Sequence, residues 1–289
     1  MNLLEKKIYQ LIELTSTSLP ADVEEAIKRG CQKEEPGSPA AAALEAILEN
    51  ITMARSRKRP ICQDTGTIIF HVDVPELLPF SQSKFIASAK KAVIQATKDT
   101  ILRQNSVCPV TGQNSGDNLG PGAPIFHFHQ HEGEEIKVTL MLKGGGSENV
   151  GTQYSLPNKE IEAGRDLDGV RKCILDAVIK AQGRGCAPGI LSVVIGGDRA
   201  TGFEASKVQL MRTLGQRSTD PILASLEIEM LEKSNKLGIG PMGLGGSTTL
   251  LDLFVGSMNR VPASYFVSIS YMCWAFRRHT VLIDSKEVK

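Results

Sequence analysis

The sequence predicts a mixed α/β fold. Three observations carry that reading: apolar residues recur at helical spacing through the first sixty positions, the pattern changes to that of a strand at Ile68, and helix and strand patterns alternate from about residue 165. Residues 1–60 read as a helical N-terminal cap. Leu3, Leu4, Ile8, Leu11 and Ile12 share one helical face, Pro20 opens a second segment, and Ser38 with Pro39 makes an N-cap and first-turn pair for a third. Ile68, Ile69, Phe70, Val72 and Val74 form a short strand ended by Pro75, and a helix follows over residues 83–103. Residues 124–130 and 135–142, separated by Glu132 and Gly133, predict a hairpin. The second half predicts helices at about 165–182, 202–213 and 222–236, with strands at 190–195, 249–255 and 263–271. No Pro/Ser-rich linker interrupts the chain, so a single domain over residues 1–289 is expected.

Composition narrows the function. Of 289 residues 41% are hydrophobic, which suits a folded globular chain. Lys and Arg number 33 against 32 Asp and Glu, so there is no electrostatic case for nucleic acid or an anionic membrane as partner. The basic run Arg55 to Arg59 sits at a helix end, where it complements the helix dipole. No apolar stretch reaches the roughly 18 residues of a membrane span, and Met1 to Lys7 lacks a signal-peptide core, so the expected location is the cytoplasm. Six scattered cysteines do not make a disulfide framework and read as thiols or metal ligands.

His127, His129 and His131 alternate along one strand and could in principle serve a metal, but Phe126 and Phe128 occupy the other face. An amphipathic strand with an apolar inner face is the simpler reading. Gly238, Gly240 and Gly243 match a dinucleotide fingerprint in spacing, yet a helix precedes them where a strand is required. The glycine-dense loops Gly144 to Ser147 and Gly245 to Ser247 leave room for backbone amides to meet an anion. Cys173 lies on an apolar helical face and reads as structural. Cys62, Cys186 and Cys273 sit at element boundaries among polar or glycine neighbours, where a ligand could be reached, although their spacing alone assigns no metal.

These last three segments carry a resemblance. Cys62-Gln63-Asp64-Thr65-Gly66-Thr67, Lys143 to Asn149 (Lys-Gly-Gly-Gly-Ser-Glu-Asn), Gly185-Cys186-Ala187-Pro188-Gly189, Gly240 to Gly246 with Thr248-Thr249, and Pro262-Ala263-Ser264 ahead of Cys273 follow one another in the order of a known family. From about residue 10 to 280 the chain resembles the alpha subunit, or N-terminal catalytic domain, of the class I fumarase and L(+)-tartrate dehydratase iron-sulfur hydro-lyases. The resemblance implies a two-lobed α/β domain behind the helical cap. It implies a 4Fe-4S cluster held by Cys62, Cys186 and Cys273 with one iron left open, where it could act as Lewis acid on the hydroxyl of a 2-hydroxy dicarboxylate such as malate or tartrate. It further implies that Arg103 clamps a substrate carboxylate, that Gln63 and Asp64 contact substrate with Asp64 in the acid/base machinery, and that Gly145 offers a backbone contact.

Two departures from the family pattern accompany the match. A histidine expected just before Pro-Ala-Ser is here Val261, which cannot move a proton. Asp64 or a water takes over, or Arg260 or His279 serves, or catalysis is impaired. The smaller swivelling domain of the family has no counterpart before Lys289, so the resemblance implies a separate beta subunit, in an alpha2-beta2 assembly. The expectation is the alpha subunit of a fumarate/tartrate-type hydro-lyase. The competing readings are a non-catalytic or impaired iron-sulfur paralogue or sensor and, ranked last, a zinc hydrolase built on the strand histidines.

Overall fold

A computed structural model describes residues 1–284; residues 285–289, the end of the expected 1–289 domain, lie outside the described residues. The first half runs α1 (Leu3–Thr17), α2 (Ala21–Lys33), α3 (Pro39–Arg57), β1 (Thr67–Pro75), α4 (Gln82–Lys98), β2 (Ile125–His131) and β3 (Ile136–Lys143). The second runs α5 (Gly145–Asn149), β4 (Thr152–Ser155), α6 (Leu167–Ala181), β5 (Gly189–Gly196), α7 (Arg199–Gln209), α8 (Pro221–Asn235), β6 (Leu250–Met258), β7 (Phe266–Met272) and β8 (Arg277–Ile283). The chain divides into two compact units: residues 1–20, 49–145 and 275 onward make the first, and residues 21–48 and 146–274 the second. The helices expected as a cap are distributed between both. No helix among the described residues is long and apolar enough to cross a membrane.

Helix starts follow local chemistry. Asn2 accepts from the Glu5 amide at 2.8 Å while the Glu5 carboxylate accepts from the Asn2 amide at 2.9 Å, a capping box that opens α1. Ser38 accepts from the Ala41 amide at 3.1 Å and Pro39 fills the first turn of α3, as predicted.

The first unit is a four-stranded sheet in the order β2-β1-β3-β8. Ile68, Phe70 and Val72 of β1, with Val138, Leu140 and Leu142 of β3, bury one face against Ile8 and Ile12 of α1 and Phe85 and Ala89 of α4. Phe126 and Phe128 join that face, with the Phe85 ring edge-on to both, so the predicted alternation of β2 holds. The predicted hairpin does not. β1 lies between the two strands, pairing parallel with β2 and antiparallel with β3. The link over residues 132–135 can reach about 13 Å, enough to step across one intervening strand at about 4.8 Å spacing, so a reversal of direction never required adjacency. Beyond the last predicted strand, 263–271, the residues Arg277, Arg278 and His279 start a further strand, the edge strand β8. Arg277 stands opposite Leu142 and His279 opposite Leu140. Arg277 and Arg278 are nonetheless buried there, at 1% and 8% exposure, and the Arg278 guanidinium lies 4.4 Å from the centroid of the Phe276 ring.

The second unit holds a sheet in the order β4-β7-β5-β6. β5 is buried along its whole length, which accounts for its unbroken apolar run. Leu191, Val193 and Ile195 of β5 pack with Leu253, Val255, Val267 and Ile269 against Val170 and Ile174 of α6 and Leu226 and Met230 of α8. α7 packs on β5, β6 and β7, where Ser192 donates to the Ser206 carbonyl and Ser206 bonds Ser270 at 2.6 Å. Glu227, fully buried, accepts from Arg212 at 2.6 Å and from the amides of Val255 and Ser218 at 2.9 Å.

Candidate active site

Four of the predicted residues lie on or beside the loop that precedes β1, in the first unit. Cys62 is partly buried and Gln63 exposed. The Asp64 amide donates to Cys62 Sγ at 3.4 Å. The Asp64 carboxylate is held from three sides: Oδ1 accepts from the Gly66 amide at 2.8 Å and from Asn105 Nδ2 at 2.9 Å, and Oδ2 accepts from the Gly145 amide at 2.6 Å. Gly145 therefore meets the aspartate directly. Gly144 and Gly145 lie so close to it that a Cβ on either would sit 3.2 or 3.6 Å from Asp64 Oδ2.

Arg103 arrives from another segment. The helix predicted to residue 103 stops at Lys98, and Thr100 takes a left-handed φ of 60°, so Arg103 lies exposed in the following loop. Thr65 joins the two loops: its hydroxyl donates to the Arg103 carbonyl at 2.9 Å and accepts from the Arg103 amide at 2.8 Å. Asn118, 3% exposed, donates to the same carbonyl and to Thr97 Oγ1, and accepts from the Asn105 amide at 2.6 Å. A cavity of about 290 Å³ beside this network is lined by Gly66, Thr67, Asn105, Ser106, Asn118 and Gly145. Asn105 and Asn118 were not singled out in the sequence; both fall in a polar stretch that reads only as loop, and the one pointer was that Asn105 lies two places after Arg103.

Cys186 and Cys273 lie in the second unit. Cys186 follows a 3-10 turn over Gln182–Gly185 and takes a left-handed φ of 54°. The Trp274 amide donates to the Cys186 carbonyl at 3.3 Å, which joins the two cysteine segments, and the Cys273 amide donates to Ser147 Oγ at 3.1 Å. The Tyr271 ring sits against Gly185 and Gly189, on either side of Cys186. Burial first, then the neighbouring thiols of Cys273 and Cys186, push its hydroxyl well up. Thiols are soft donors. Among the described residues no three His, Cys, Asp or Glu side chains surround a single ion position.

The remaining candidates have structural occupations. None of the six cysteines is in a disulfide, and burial pushes the Cys173 thiol up to about 12, as suits a core residue. His71 stacks on His127 at 4.8 Å, while His131 serves its own turn by accepting from the Gly133 amide. In the loop Gly245 to Ser247, read as an anion site, the Ser247 amide already meets an anion, the carboxylate of Glu34, which also accepts from the next amide, that of Thr248. Burial opposes its charge, but hydroxyl and amide donors from Thr248 and Ser247 hold its carboxyl below the usual value. Gly238, Gly240 and Gly243 lead from α8 toward β6, not from a strand into a helix. Arg260 donates through Nη1 to the carbonyls of Val261, Pro262 and Ser264 and stacks on Tyr265, so it clasps its own loop. A cavity of about 600 Å³ in the second unit is walled by Val150, Tyr154, Lys180 and Arg184, and of the candidate glycine loop only Gly146 reaches its lining.

The arrangement of a donor-held aspartate two residues from a cysteine, on a loop tied to the segment of an arginine, can be set against known proteins. The family model described as fumarate hydratase (Fumerase) matches residues 5–282. The chain belongs to the class I fumarase and tartrate dehydratase alpha-subunit family of hydro-lyases. A Geobacillus stearothermophilus protein assigned by name to fumarate hydratase class I is 52% identical over 98% of this chain, which spans 55% of that protein's length. A Methanocaldococcus jannaschii protein assigned by name to L(+)-tartrate dehydratase subunit alpha is 34% identical over 96% of the chain and 98% of its own length. The L(+)-tartrate dehydratase subunit alpha of Escherichia coli K12 is 29% identical over 99% of the chain and 92% of its own. In this member of the fumarase family the Cys62 and Cys186 motifs lie in loops, while the Lys143 to Asn149 motif runs from the end of β3 through α5.

Proposed function

We propose that this chain is the alpha part of an iron-sulfur hydro-lyase that, together with a separate beta subunit, reversibly adds water to or removes it from a 2-hydroxy dicarboxylate of the malate or tartrate type. One observation carries the reading: in a chain matched to the family over residues 5–282, Asp64 is held by three N–H donors, two residues from Cys62 and on a loop tied through Thr65 to Arg103. The subunit-alpha names of the M. jannaschii and E. coli relatives, which this chain spans almost end to end, support a partner chain.

Cys62, Cys186 and Cys273 would hold a 4Fe-4S cluster, and when bound it supplies a Lewis-acidic iron for a poor leaving group. The other roles fall to the chain's own groups. The planar guanidinium of Arg103 pairs with a substrate carboxylate through two parallel N–H bonds. Gln63 offers an amide beside it, and Asp64 gives or takes a proton.

The test is anaerobic reconstitution. The chain is expected to bind about four irons, and turnover of malate or tartrate is expected only with the beta subunit present. Full iron loading after Cys62, Cys186 and Cys273 are all changed to serine would overturn the ligand set. An Asp64→Asn chain that keeps its iron and full turnover would remove Asp64 from proton transfer.

Val261 favours a second reading, an iron-sulfur paralogue with impaired turnover. It is 65% exposed and carries no proton, and neighbouring Arg260 is engaged with backbone carbonyls. A large gain in rate on Val261→His would support that reading, whereas high activity of the unaltered complex would end it.

A further inference from the structure

A carboxylate offers about two lone-pair directions on each oxygen. In Asp64 both directions of Oδ1 are used, by the Gly66 amide and by Asn105 Nδ2, while among the described residues Oδ2 accepts only from the Gly145 amide. We propose that Asn105 is a positioning residue for the hydration reaction: its side-chain amide fills Oδ1 of Asp64 and so makes Oδ2 the oxygen through which Asp64 meets the substrate. This rests on the reading of Asp64 as the proton-transfer group. The two backbone donors alone would leave one acceptor direction on each oxygen, and the carboxylate could present either; the Asn105 amide removes that choice.

The bracket behind Asn105 is built for the purpose. Asn105 is exposed, but its backbone amide is fixed to Asn118 Oδ1 at 2.6 Å. Asn118 is buried and spends both side-chain hydrogens inside the same network, on Thr97 Oγ1 and on the Arg103 carbonyl, each at 2.9 Å. It takes a left-handed φ of 64°, a conformation that asparagine tolerates better than most residues. The bonds therefore run from Asn118 through the backbone of residues 103–105 to the Asn105 amide and then to Asp64. The segment that positions the carboxylate also carries the candidate carboxylate clamp, and one side chain, Asn118, holds both.

The experiment uses the complex of this chain with its beta subunit, with malate and tartrate as substrates. Asn105→Ala is expected to lower kcat about 10- to 100-fold with KM within about twofold, because a misoriented acid/base group costs rate rather than binding. Asn105→Ser, which keeps a donor on a shorter side chain, is expected to recover part of the loss. In an Asp64→Asn background the Asn105→Ala change is expected to alter kcat by less than about twofold, since the two residues act as one unit. An undiminished kcat in Asn105→Ala, or the same fold-loss in both backgrounds, would overturn the proposal. If the unaltered complex shows no hydro-lyase activity, the functional reading fails on its own, and amide exchange decides the positioning. Exchange at Gly145 and Gly66 is expected to rise about tenfold in Asn105→Ala, and unchanged exchange would overturn it.

Discussion

Gly66 offers a sharp test of how the site loop is held. Its φ is +79°, and a Cβ there would lie 2.5 Å from the carbonyl carbon and oxygen of Lys143 and 2.8 Å from the Gly144 amide nitrogen. All three atoms are backbone, so Gly66→Ala cannot be relieved by a rotamer change. The left-handed conformation alone costs a non-glycine residue about 1–2 kcal/mol. Relief of the clash must also separate Gly66 from Lys143 and Gly144, which pulls the Gly145 amide off Asp64, and a lost hydrogen bond to a charged group adds about 1.5–3 kcal/mol. The sum is about 3–5 kcal/mol. Gly37 supplies the control, since it has nearly the same φ, +80°, but a Cβ there meets nothing within 4 Å, so Gly37→Ala should cost only about 1–2 kcal/mol. Equilibrium urea unfolding of the two variants and the parent isolates the clash, and amide exchange at Gly145 locates it. Equal destabilisation of the two variants, within about 0.5 kcal/mol, or protection at Gly145 unchanged in Gly66→Ala, would refute the reasoning.

Two further outcomes follow from buried groups. Burial, then the charges of His127 and His129, hold the His71 imidazole down to about 4, so the folded chain keeps it neutral where the unfolded chain protonates it near 6.5, with Asp73 and Lys137 the other charged groups on that face. The unfolded state binds more protons across that window, so this contribution is present above pH 6.5 and is lost as pH falls toward 4. Between pH 7.5 and 4.5 the parent should lose about 2–3 kcal/mol more unfolding free energy than His71→Phe, and parallel pH curves would contradict the assignment. Glu227→Gln removes a fully buried carboxylate that accepts from Arg212 and two amides, and should lower the urea midpoint by the equivalent of about 3–5 kcal/mol at constant slope. A loss below about 1 kcal/mol would show that the pair is dispensable.

Much of the architecture was readable from local pattern. The Ser38-Pro39 helix start, the alternation of Phe126 and Phe128 against His127 and His129, and the buried run of β5 each follow from chemistry that acts over a few residues. The failures occur where the deciding interaction is remote. The strands at 124–130 and 135–142 were expected to pair because they are close in sequence, but β1, more than fifty residues before β2, takes the place between them. The Ser247 loop looked ready for an outside anion because its natural occupant, Glu34, is 213 residues away. Helix α4 stops early at Lys98, and the residues released carry Arg103 and Asn105 to the site.

By itself the sequence determined the mixed α/β class, the buried faces of α1 and β2, the core position of Cys173, and the family. Those properties rest on periodicity, capping and motif order, all carried by contiguous residues. Only the tertiary structure decided which groups hold the Asp64 carboxylate. Asn105 meets it across 41 positions and the Gly145 amide across 81, and an asparagine side chain or a backbone N–H has no sequence signature that names its acceptor. The path of the backbone places donor and acceptor within hydrogen-bond distance, and that path is set by how the sheet of the first unit closes around β1.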